Sequence, residues 1–168
     1  MDSNFAGSLA RVLGVEGGVS NDPADHGGLT SQGVTQSQYD AYRKQKGLNQ
    51  QPVTQITRVE IVDLYRTFYW NVAKCNLLPN GVDTIHFDMA VNSGPTQAAK
   101  LLQRAIGVTD DGIIGPETIS KVNSLDPRKV IGEYVEKRTD FYIDLVVRDI
   151  TQLKFLKGWI RRAISYIK

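Results

Sequence analysis

Phe5-Ala6-Gly7-Ser8-Leu9-Ala10-Arg11-Val12-Leu13-Gly14-Val15-Glu16-Gly17-Gly18 carries an apolar helix into a glycine-framed loop. Phe5, Leu9, Val12 and Leu13 recur at the spacing of one helix face, with Ala6 and Ala10 beside them. Gly14, Gly17 and Gly18 interrupt that pattern, so the helix ends close to an acidic residue, Glu16. From Gly17 to Thr35 the chain is rich in Gly, Asn, Asp, Ser and Thr, which favour turns. A small two- or three-stranded β element, or an irregular loop, is expected there.

Outward from this stretch, helical periodicity continues almost to the end. Residues 36–46 read as a helix carrying Tyr39, Tyr42 and Arg43. Thr57-Arg58-Val59-Glu60 has the form of a capping box, and Ile61, Leu64, Tyr65, Phe68 and Tyr69 follow on one face. Asn80-Gly81 marks a turn. Residues 83–93 and 95–106 read as two helices broken at Ser93-Gly94-Pro95, with Pro95 suited to a first turn. Pro116 and Asp126-Pro127 open two more, and residues 154–168 a last one. Roughly seven or eight helices with little strand define a mainly α fold. Residues 1–82 and 83–168 are expected to be two regions packed into one unit.

The formal net charge of +2 gives no reason to expect a nucleic-acid partner. Cys75 is the single cysteine, so it cannot form an intramolecular disulfide and reads as a buried thiol. The N-terminus lacks a basic start and an apolar run, so the chain is expected to be made in the cytoplasm without a signal peptide. No stretch is long and apolar enough to span a bilayer. A monomer is expected.

The densest polar constellation runs from Glu16 to Thr30. Glycosidic cleavage needs a carboxylic acid beside the leaving oxygen and a second group to handle water or an oxocarbenium ion. A glutamate at the end of an apolar helix can keep its proton near neutral pH, because burial disfavours its charge. Composition alone equally describes a surface loop. Asn21, Asp22 and Asp25 offer oxygen ligands, but the calcium-loop pattern is absent. His26 and His86 match no zinc spacing, so neither metal nor cofactor is expected. Nucleophile-elbow and phosphate-loop sequences are absent too.

Glu16-Gly17-Gly18, Asn21-Asp22-Pro23-Ala24-Asp25 and Gly27-Gly28-Leu29-Thr30 resemble glycoside hydrolase family 108, whose N-acetylmuramidases serve as phage lysins and in bacterial toxin release. Leu64-Tyr65 through Tyr69-Trp70, Phe87-Asp88-Met89-Ala90-Val91-Asn92-Ser93-Gly94, Leu101-Leu102-Gln103-Arg104-Ala105-Ile106-Gly107-Val108 and Asp111-Gly112-Ile113-Ile114-Gly115-Pro116-Glu117-Thr118 extend the resemblance. The last two blocks are similar to the family's small peptidoglycan-binding module. Val19 stands where the family often has Tyr, His26 where it often has Pro, and Gln32-Gly33-Val34 where Asn-x-Gly-Ile or similar is common.

The resemblance implies a lysozyme-like helical fold that hydrolyses the β-1,4 bond between N-acetylmuramic acid and N-acetylglucosamine in bacterial peptidoglycan. It makes Glu16 the catalytic acid and suggests Asp25 and Thr30 as water-handling groups. Tyr39, Tyr69, Asn92 and Gln103 are the candidates for substrate contact. Such an enzyme would act on the wall, in the periplasm or outside, after release. A lytic transglycosylase on the same fold and a non-catalytic wall-binding virion component remain open. So does membrane disruption through the C-terminal helix. Phe155, Leu156, Trp159, Ile160, Ala163, Ile164 and Ile167 form an apolar stripe there, opposite Lys154, Lys157, Arg161, Arg162 and Lys168. Docking of that stripe on the core is favoured over membrane contact.

Overall fold

The computed structural model describes residues 2–15, 30–31 and 33–167. Among them are eight α-helices and one short hairpin: α1 (Phe5–Val15), β1 (Thr30–Ser31), β2 (Val34–Thr35), α2 (Gln36–Gln45), α3 (Arg58–Tyr65), α4 (Val82–Ser93), α5 (Pro95–Ile106), α6 (Pro116–Asn123), α7 (Pro127–Arg148) and α8 (Leu153–Ile164). The fold is therefore mainly α, as the periodicity predicts. β1 and β2 pair antiparallel, Thr30 with Thr35 and Ser31 with Val34.

Local chemistry fixes the helix starts. The Thr57 side chain accepts from the Glu60 N–H while Glu60 reaches back to the Thr57 N–H. Thr35 and Gln38 close the same reciprocal box at α2, which satisfies two backbone donors left over at a helix start. Pro95, Pro116 and Pro127 occupy first turns, where a missing N–H costs nothing. Gly94, at φ 88°, makes the break between α4 and α5, a conformation that side chains with a Cβ resist.

α4 runs through the middle of the molecule. Val82, Ile85, Phe87, Met89 and Ala90 are buried, and so are Asp83, His86 and Asp88. A helix buried on every side must be enclosed by others, and α1, α5, α7 and the turn after α3 surround it. Phe5 of α1, Trp70 and Phe87 of α4 meet edge to face, with ring centroids 5.3–5.8 Å apart. Each such pair adds about 0.5–1.5 kcal/mol beyond its burial. This triad anchors α1 in the core.

α8 lays its apolar stripe on that core. Ala163 is fully buried, and Leu156, Trp159, Ile160 and Ile164 pack around it. Trp159 stacks on Tyr142 at 5.1 Å. From α1, Arg11 donates to the Ser165 carbonyl (2.9 Å) and hydroxyl (2.7 Å), and its guanidinium lies 3.9 Å from the Tyr166 ring centre.

Candidate active site

Glu16 and Asp25 lie outside the described residues. Glu16 follows in sequence on Val15, the last residue of the anchored helix α1. Thr30 opens β1, paired through its backbone with Thr35. Of the candidate groups that are described, Thr30 belongs to the hairpin, Tyr69 to the turn after α3 and Asn92 to the end of α4.

The turn after α3 is π-helical from Arg66 to Trp70, with the Asn71 N–H reaching back five residues to the Arg66 carbonyl at 2.9 Å. Such single-turn insertions cluster at functional sites. Here the turn buries Trp70 and leaves Tyr69 half-exposed. The Tyr69 ring lies 5.5 Å from that of Tyr65, and its hydroxyl accepts from Gln38 Nε2 at 2.7 Å. Gln38 Oε1 in turn accepts from the Thr35 N–H at 3.0 Å. One side chain thus ties β2 to the π-turn, and with β2 the hairpin that carries Thr30. Nothing in the sequence reading singled out Gln38, although Thr35-x-x-Gln38 is itself a capping-box pattern.

At the end of α4, Asn92 is half-buried. Its Oδ1 accepts from the Tyr142 hydroxyl at 2.6 Å and from the Ser93 hydroxyl at 3.1 Å. Its Nδ2 has no partner among the described residues, so it is free to donate to an incoming acceptor. Behind it stands a buried chain of charges. Arg138 Nε donates to the Tyr142 hydroxyl at 2.7 Å. Arg138 Nη2 and Arg162 Nε hold the two oxygens of Asp88 at 2.6 and 2.9 Å. Burial works against the Arg138 charge, but Asp88 and Tyr142 outweigh it and the pKa is raised. Asp88 stands inside a block quoted above, yet residue type alone did not mark it, Arg138 or Tyr142 as a support for Asn92.

Tyr39 and Gln103, expected to contact substrate, are both buried and hydrogen-bonded within the protein. Tyr39 is fully buried, donates to Glu60 Oε1 at 3.0 Å and accepts from Arg43 and Gln51. Burial pulls the Glu60 carboxyl upward, but the Thr57, Tyr39 and Arg43 contacts prevail and hold it below the usual range. Gln103 is also buried. Its amide nitrogen faces Asp111 Oδ1 (2.7 Å), the Ile113 carbonyl (3.0 Å) and the Thr118 hydroxyl (3.2 Å), while its oxygen accepts from the Gly112 N–H (2.9 Å). It folds the loop between α5 and α6, and both of its amide hydrogens are spent on protein acceptors.

The described part of the chain is a helical scaffold that leaves Tyr69 and Asn92 partly exposed. The chain belongs to glycosyl hydrolase family 108: the family model described as "Glycosyl hydrolase 108" matches residues 9–94. A second model, described as "Predicted Peptidoglycan domain", matches residues 97–164. Together they make the chain a glycosidase directed at peptidoglycan. Among solved structures it is similar to one titled "Structure of Brucella abortus SagA", with a TM-score of 0.77 and 29% identity over 100% of this chain and 98% of that one. No curated protein matches.

Proposed function

We propose that the protein is an endolysin-type N-acetylmuramidase. It cleaves the β-1,4 bond between N-acetylmuramic acid and N-acetylglucosamine, with Glu16 as general acid and Asp25 and Thr30 positioning water. The observation that carries this reading is the family match over the segment that holds Glu16-Gly17-Gly18.

Physical chemistry supports the role of Glu16. In sequence it follows Val15 of the apolar helix α1. A carboxyl that its surroundings keep protonated near neutral pH suits a general acid. Asn92 Nδ2 and the half-exposed Tyr69 supply a donor and a ring face for the sugar chain. The protein acts on the wall after release from the cytoplasm in which it is made.

The test is release of soluble fragments from purified peptidoglycan by wild type and Glu16→Gln, with mass spectrometry of the products. Fragments ending in reducing N-acetylmuramic acid, lost in a folded Glu16→Gln variant, are the expected result. Ends of the 1,6-anhydro type assign a lytic transglycosylase instead. Undiminished release by Glu16→Gln removes Glu16 from the chemistry.

A further inference from the structure

Five apolar side chains project from one end of the α7–α8 hairpin. Val147 is 79% exposed, Ile150 70% and Leu153 53%, and Ile143 and Phe155 are also open to solvent. Ile143 and Val147 are one turn apart, so they share a face of α7. Ile150 sits in the tight turn Ile150–Gln152, and Leu153 begins α8. The corner is ordered. The Asp149 carboxylate accepts from the Thr151 N–H at 3.0 Å and the Thr151 hydroxyl at 2.7 Å. The core side is already occupied by Leu156, Trp159 and Ile160, so these five side chains have nowhere inside to go.

Cations flank the tip in sequence. α8 carries Lys154, Lys157, Arg161 and Arg162 with no acidic residue, and Arg148 ends α7. Arg162 turns inward to Asp88, whereas Lys154 Nζ stands 4.8 Å from the Phe155 ring centre, at the edge of the apolar patch. Asp144 and Asp149 are the only acids after Asp140, and Asp149 is engaged in capping the turn. Exposed apolar groups with Lys154 at their edge and Arg148 and Lys157 close by in sequence match an anionic lipid surface: the first enter the headgroup–acyl boundary and the second meet phosphates. A second copy is a poorer occupant, because pairing two tips brings like charges together.

We propose that the α7–α8 corner is a docking site for anionic phospholipid surfaces, separate from the saccharide site. The experiment is co-sedimentation of the full chain with phosphatidylglycerol–phosphatidylcholine vesicles and with phosphatidylcholine alone. Fragment release from purified peptidoglycan is measured in parallel. Wild type is expected to bind the mixed vesicles, less so in high salt, and to leave neutral vesicles largely unbound. Ile150→Glu with Leu153→Glu, checked for folding by circular dichroism, is expected to weaken vesicle binding by at least about tenfold while fragment release is unchanged. Failure of wild type to bind at low salt overturns the proposal, as does undiminished binding by the folded double variant. Self-association that the same double variant abolishes, without vesicle binding, assigns the patch to a second copy instead.

Discussion

The Tyr142 hydroxyl lies 2.6 Å from Asn92 Oδ1, so a side chain of α7 sets the orientation of an amide at the end of α4. The oxygen faces inward and Nδ2 is left to donate. Tyr142→Phe keeps the stack on Trp159 and frees that amide to rotate. The expected effect is a fall in kcat/KM on peptidoglycan of about tenfold, the equivalent of one net hydrogen bond. Asn92→Ala is expected to cost at least as much, and adding Tyr142→Phe to it nothing further. Losses that simply add in this double-mutant cycle would show that Tyr142 does not act through Asn92.

Asp88 and Arg138 form a buried pair with side chains 2% and 0% exposed, and Arg162 joins it from the rim. Removing one partner of a buried pair strands the other charge, at about 3–5 kcal/mol. Asp88→Leu leaves two guanidinium groups facing each other and is expected to reach that range in urea unfolding. Arg162→Gln leaves Asp88 and Arg138 paired and is expected to cost about 1 kcal/mol.

His86 is enclosed by the core, and its Nδ1 lies 2.9 Å from the Tyr134 hydroxyl, which donates to the Ala98 carbonyl. Burial lowers its pKa from 6.5 to about 4. The unfolded chain takes up a proton as pH falls through 6.5, and the folded chain does not until about pH 4. Stability contributed by the neutral ring is therefore complete above pH 6.5 and is lost as pH falls toward 4, by at most about 3 kcal/mol. His86→Phe is expected to be less stable at pH 7 yet to show a flatter urea midpoint between pH 6.5 and 4. An unchanged slope would assign the acid sensitivity to other groups.

Gln38→Leu removes the link between β2 and Tyr69 and one half of the α2 capping box. Amide exchange at Val34 and Thr35 is expected to quicken. Fragment release is expected to fall several-fold while the urea midpoint moves by only about 1 kcal/mol. A stability loss with full activity would confine Gln38 to capping.

The helices were readable because their signals are local. Proline at first turns, the Thr57 box and the apolar stripes each involve residues three or four apart, and they place α3 through α8 within a few residues of where they lie. The turn at Arg66–Trp70 was not readable, since an extra residue in a helix leaves the run Leu64-Tyr65 … Tyr69-Trp70 apolar and periodic. The partners of Tyr39 and Gln103 were not readable for a related reason. Each is a polar group satisfied by partners that the fold brings together, Glu60 lying 21 residues from Tyr39 and Thr118 lying 15 from Gln103. Residue type says that such a side chain needs partners, but not whether they are protein or ligand.

Asp88 belongs to the segment matched by the glycosyl hydrolase model, and Arg138 and Arg162 to the segment matched by the peptidoglycan model. The two segments are therefore poor candidates for shuffling. Grafted onto another enzyme, the second would arrive with two guanidinium groups and no carboxylate, and the first would be left with an acid facing apolar walls. Inheritance of the two segments as one block, changed in concert or not at all, follows from two oxygen–nitrogen contacts to one carboxylate.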